Sequence, residues 1–180
     1  MFEYPDCKDP YIYTQVTRQL EESFHKNGKK LQKVKELAQK ILDGFEKISP
    51  LIQKSTEKVC PECRNVCCIS KHGYYLFEDL VYLYALGLRP PDCEFGRKET
   101  DPCQFLSNNG CSTERPFRPS GCTWYFCDSL LEYIEKRPEY HEFDTLLRDI
   151  AELWMDMIEE FIQICIKNEK IMPFHHLAKK

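Results

Sequence analysis

Apolar residues recur at helical steps over two stretches of this chain. In the first, Tyr13, Val16, Leu20 and Phe24 are three or four apart. After a break at Asn27-Gly28 the spacing resumes with Leu31, Val34, Leu37, Ala38, Ile41, Leu42, Phe45 and Ile48. Lys and Glu fill much of the space between. Such steps place one apolar face on a helix. Pro50 is expected to end that helix or start another turn, because it lacks an N–H and its ring crowds the preceding turn. In the second stretch Phe143, Leu146, Leu147, Ile150, Leu153, Trp154, Met157, Ile158, Phe161, Ile162 and Cys165 form a longer stripe, predicting a long helix. Asp128 or Ser129 is expected to cap a shorter helix ahead of it, stopping before Pro138.

The middle is different. Residues 57–127 hold five of the seven glycines and six of the 11 prolines, so loops should dominate. One helix is predicted over Tyr74–Leu88, with Leu76, Phe77, Leu80, Val81, Tyr84 and Leu88 at helical steps and Gly87, Pro90 and Pro91 as its stop. No alternating run long enough for a strand stands out, and Met172–Lys180 reads as a tail. The pattern thus predicts a mostly α protein: amphipathic helices at both ends packed around a loop-rich, cysteine-ligated centre. The zones are 1–56, 57–127 and 128–180, within one compact domain.

Composition narrows the function. The 180 residues are 30% charged with a net charge of −4, which makes no general case for nucleic acid. No run approaches the roughly 18 apolar residues of a membrane helix. The first residues lack a basic stretch followed by an apolar one, so no signal peptide and a cytoplasmic location are expected. The 11 cysteines change the picture. Nine lie between Cys60 and Cys127. In a reducing compartment such clustering points to metal or redox chemistry rather than disulfides.

The first cluster is Cys60-Pro61-Glu62-Cys63, then Cys67-Cys68: C-x2-C-x3-C-C. A C-x2-C pair forms a knuckle that turns two thiolates toward one ion. Adjacent residues in extended chain point to opposite sides, so Cys67 and Cys68 need not serve one ion. The second cluster is Cys103, Cys111, Cys122 and Cys127. Asn109-Gly110 is a tight-turn pair that would fold Cys103 back near Cys111, and Pro119 and Gly121 shape the approach to Cys122. Tetrahedral zinc takes four ligands, and a [4Fe–4S] cluster takes four cysteines. Eight thiols fill two sites, fill one with spares, or share bridging thiolates; spacing leaves all three open.

Taken in order, C-x2-C-x3-C-C, then C-x-F-L with a downstream cysteine, then R-P-x-x-C, resembles the YkgJ-type cysteine-cluster family. The residues that carry the resemblance are Cys60, Cys63, Cys67, Cys68, Cys103, Phe105, Leu106, Cys111, Arg118, Pro119 and Cys122, within residues 60–127. Val66 stands where the common form has a small residue. The family is described as a zinc- or iron-chelating domain, and older descriptions speak of iron–sulfur oxidoreductases. Some members of the wider grouping resemble flagellin lysine methylases, but this chain has no Gly-rich strand–loop–helix to cradle a nucleotide. The resemblance implies a protein that binds zinc or iron, with metal ions and a protein partner as its partners. The alternative is an iron–sulfur redox or electron-transfer protein, and a methylase-like enzyme comes third. No catalytic constellation is evident; Glu159-Glu160 reads as a solvated face.

Other candidates have blander readings. Arg118 is the expected donor to the thiolate sulfurs, offsetting their negative charge. Arg64 and Arg115 are expected to face solvent. Cys127 is expected as a ligand, Cys93 as a spare or exposed thiol, and Cys165 as core; Cys7 is remote. His72 reads as a loop residue and His175-His176 as tail. Trp124, Tyr125 and Phe126 are expected to pack the metal loop onto the helices. A thioredoxin-like role for Cys60–Cys63 lacks the flanking strands it requires.

Overall fold

The computed structural model describes residues 4–63, 68, 73–98, 100–108, 110–123 and 125–167. Cys67, Arg64, His72, Asn109, Trp124 and the tail lie outside them. The described elements are α1 (Pro10–Lys26), α2 (Gln32–Val59), a 3-10 turn (Cys60–Glu62), α3 (Phe77–Ala85), strands β1 (Leu106–Ser107) and β2 (Gly110–Cys111), a second 3-10 turn (Arg115–Phe117), α4 (Ser120–Thr123), α5 (Asp128–Glu135) and α6 (Tyr140–Lys167). The chain is mostly helical, as the periodicity predicts. Among the described residues no helix is long and apolar enough to cross a membrane.

Local chemistry sets the helix ends. Asp9 caps α1 by accepting the Ile12 N–H at 2.9 Å, with Pro10 in the first turn where a missing N–H costs nothing. Asn27 ends it. Leu76 has no side-chain acceptor to offer as a cap, so the buried Asp79 carboxylate takes the Leu76 N–H at 2.7 Å. Gly87 then stops α3 with φ +75°. Its N–H bonds the Tyr84 carbonyl while Leu88 N–H bonds Leu83, a Schellman ending. The helix is thus shorter than the predicted span, and Leu76 and Leu88 are exposed rather than core. At α5 the capping residue is Cys127, extended at ψ 160°, and Asp128 falls in the first turn instead. There its charge favours the positive end of the helix.

Pro50 does not end α2. The helix runs through it to Val59. An interior proline costs about 3 kcal/mol. Phe45, Ile48 and Ile52 lie at most 2% exposed on either side of it, and each such burial contributes roughly 1.5–3 kcal/mol. The apolar face outweighs the lost backbone bond.

Contacts divide the chain into two compact units, and both α2 and α6 contribute to each. One comprises Met1–Lys40, Tyr74–Phe95 and Leu153–Lys180. Its core is Val16, Leu20 and Phe24 of α1, the apolar face of early α2, α3, and late α6. Phe24 stacks on Phe161 at 5.7 Å, and Tyr82 meets Trp154 at 5.1 Å. Lys33 pairs with Glu160 at 2.6 Å, so Glu160 is half-buried and engaged while Glu159 stays exposed. Cys7 and Cys165 are buried here, Cys165 as core. Burial pushes both thiols up to about 12.

The other unit comprises Ile41–Gly73 and Gly96–Glu152. Ile41, Phe45, Ile48 and Ile52 of α2 are buried with Phe105, Leu130, Ile134, Phe143 and Ile150. Gly44 lets α2 approach α6 closely: a Cβ there would lie 2.6 Å from Ile150 Cγ1, and Ile150 is 1% exposed. Gly44→Val should therefore overpack this contact. We expect a loss of about 1–3 kcal/mol, read from the midpoint of chemical denaturation at unchanged slope.

Candidate metal centre

Every described cysteine among the predicted ligands lies in the second unit: Cys60, Cys63, Cys68, Cys103, Cys111, Cys122 and Cys127. Cys7, Cys93 and Cys165 belong to the first unit. The predicted ligand Cys67 and the loop residue His72 fall outside the described residues.

Cys60 emerges directly from the end of α2 and is exposed. The Cys63 N–H closes back onto the Cys60 carbonyl at 3.1 Å, so the C-x2-C segment makes the tight turn expected of a knuckle. Pro61 suits it, having no N–H to leave unpaired. Cys68 and Cys103 are 35 residues apart in sequence, yet the Cys103 N–H donates to the Cys68 carbonyl at 2.7 Å. That bond ties the backbone of the first cysteine cluster to the second. Gly73 sits tightly against the same place. A Cβ on it would lie 2.9 Å from the Phe105 ring and 3.0 Å from Cys103 Sγ, and its φ is +66°. Both Cys103 and Phe105 are buried.

The second cluster is held by short turns rather than by long elements. Asp101 accepts the Lys98 N–H at 2.8 Å, and Arg97 reaches the Pro102 carbonyl at 2.8 Å, setting the approach to Cys103. The chain then reverses in a small antiparallel hairpin that pairs Leu106 with Cys111 and Ser107 with Gly110, with Gly110 at φ +101°. This is the reversal that the Asn-Gly pair predicts, and it is too short to show as an alternating run. Beyond it the buried Pro119 carbonyl accepts the N–H groups of Cys122 and Thr123 at 2.8 and 3.2 Å, and the Thr123 hydroxyl at 3.4 Å. Cys122 is thereby fixed to the first turn of α4. Cys127 is half-buried at the start of α5. Phe126 packs edge-on against Phe143 at 5.7 Å, anchoring the loop to α6, whereas Tyr125 is exposed.

The two arginines reverse the expected roles. Arg118, the predicted sulfur donor, spends its Nε on the Thr113 carbonyl at 2.8 Å. Arg115, expected to face solvent, is half-buried. Burial lowers its pKa to about 10, and the neighbouring Arg118 adds to this; Cys111, Cys122 and Cys60 act in the opposite sense. Three thiols from distant points of the chain thus converge on one guanidinium. No sequence signal marked Arg115 apart from its place between Cys111 and Cys122. Cys93, expected to be spare or exposed, is half-buried beside Tyr13; burial pushes its pKa up.

Among the described residues, no group of three or more His, Cys, Asp or Glu side chains is close enough to hold a metal ion. What the structure brings together is the backbone of the two clusters and three thiols around Arg115. Thiols in one unit, a glycine cradle at Cys103 and a nearby cation fit a thiolate-bound metal in kind.

Gly73→Ala would strain a left-handed backbone position and drive a methyl into Phe105 and Cys103. We expect it to cost about 1–3 kcal/mol, with an unfolding midpoint lowered accordingly and faster proteolysis within residues 57–127. Unchanged proteolysis there would contradict the close approach.

No protein-family model, curated protein or solved structure matches the chain at a significant level.

Proposed function

We propose that this chain is a metal-binding protein of the cysteine-cluster type, holding zinc or iron through two cysteine groups. The first is Cys60, Cys63, Cys67 and Cys68, and the second is Cys103, Cys111, Cys122 and Cys127. The observation that carries the reading is the direct Cys103-to-Cys68 backbone bond at 2.7 Å, which fastens the two groups to each other. The sequence resemblance to the YkgJ-type family points the same way. Bound there, the metal supplies a fixed cross-link between loops that have little regular structure of their own, so metal binding and folding of residues 57–127 are coupled.

The chain's own residues prepare this. The Cys60–Cys63 turn presents two thiols on consecutive bends. Gly73 leaves room beside Cys103 Sγ, and the Pro119 carbonyl fixes the Cys122 backbone. Cysteine thiolates suit zinc and iron alike, and selection rests on geometry and supply. If all ligands of a zinc ion are cysteines, no coordination position stays open for a substrate, and the role is structural or in binding a protein partner. Iron–sulfur redox chemistry is the alternative that metal analysis separates.

Two substitutions test the ligand assignment. Cys63→Ser should lower the metal bound per chain and make residues 57–127 more open to proteolysis. Cys165→Ser, a core thiol of the other unit, should leave bound metal unchanged. Full metal content in Cys63→Ser would remove that ligand, and metal loss in Cys165→Ser would overturn the division between the cysteines.

A further inference from the structure

We infer that Arg115 is a built-in counter-charge for the cysteine centre, a cation held against Cys60, Cys111 and Cys122 that raises affinity for a thiolate-bound metal. The inference rests on the metal-binding reading above and adds the residue that tunes it.

The position of Arg115 is fixed by its surroundings. It opens the 3-10 turn Arg115–Phe117, in which Phe117 N–H bonds the Glu114 carbonyl at 3.0 Å and Arg118 N–H bonds the Arg115 carbonyl at 3.2 Å. The Arg118 Nε bond to Thr113 braces the same loop from the other side. The loop hangs between Cys111 at the end of the hairpin and Cys122 on α4, and Cys60 comes within electrostatic reach from the end of α2.

The arrangement is unfavourable for an arginine unless something anionic is present. Half-burial removes water from the guanidinium, and Arg118 repels it. The groups that favour its charge are Cys111, Cys122 and Cys60, and they do so only as thiolates. A neutral thiol gives a guanidinium little. A coordinating thiol, by contrast, is deprotonated outright. Several thiolates on one divalent ion leave net negative charge, and a nearby fixed cation offsets it. The cost of placing Arg115 here is thus recovered in the metal-loaded state.

The test uses the full chain, stripped of metal with a chelator and kept free of oxygen. Cobalt(II) serves as the probe, with zinc in competition. Arg115→Gln and Arg115→Met remove the charge while keeping most of the stem; Arg115→Lys keeps a charge. Arg148→Gln, an exposed arginine paired with Asp144, is the control for surface charge. We expect the two uncharged variants to bind cobalt roughly 10- to 100-fold more weakly. Stoichiometry and the thiolate-to-cobalt absorption band should be unchanged, Arg115→Lys should recover most of the affinity, and Arg148→Gln should match the wild type. Wild-type affinity in both uncharged variants overturns the inference. So does an Arg115→Lys no better than Arg115→Gln, which would assign the effect to packing. A wild-type chain that binds neither cobalt nor zinc overturns the metal-binding reading itself, an outcome distinct from the other two.

Discussion

The apolar face of α2 carries the structure past its own proline. Phe45, Ile48 and Ile52 are buried on both sides of Pro50. Their combined burial exceeds the cost of one interrupted backbone bond. Because the helix survives to Val59, Cys60 leaves its end as the first residue of a tight turn. A helix broken at Pro50 would leave the first cysteine cluster at the end of a free segment. Gly44 serves the same packing from within, bringing α2 against Ile150 without a side chain between them.

The helices supply the core, and the cysteine-bearing loops are held by a few specific bonds. The Cys103-to-Cys68 bond, the hairpin at Leu106–Cys111 and the crowded Pro119 carbonyl each fix one cysteine's backbone. None is an extended element, and each is worth on the order of 1 kcal/mol. Loops held this sparingly gain most from a cross-link, which is the physical argument for a metal among them. Charge follows the same logic. Arg115 and Arg118 sit close together, which costs energy unless negative charge gathers nearby.

Much of the fold is legible in the sequence. Steps of three and four placed α1, α2 and α6, and Asn27 and Gly87 marked real ends. Pro50 misled because the rule for proline is local and the burial that overrides it is not. Leu76 and Leu88 fitted the periodicity of α3 but lie beyond its ends, where capping by Asp79 and the turn at Gly87 decide the boundary. In the candidate centre, spacing alone grouped the cysteines as the two units do. It could not weigh Arg115 against Arg118, since both flank the same prolines and only the tertiary fold decides which guanidinium is turned toward thiols. The Cys68–Cys103 contact was invisible for the same reason: nothing in a linear pattern links two backbone groups 35 residues apart.

The central claim is that the cysteine loops hold a metal. The most direct measurement is zinc, iron and acid-labile sulfide per chain, with a visible spectrum, on protein purified without oxygen. The account predicts zinc or iron at one or two equivalents per chain. Colourless zinc protein would mean a closed thiolate site, and matched iron and sulfide with a broad band near ~400 nm would mean a cluster. A chain free of both metals, in which the Cys60–Cys127 thiols all react freely, would contradict it.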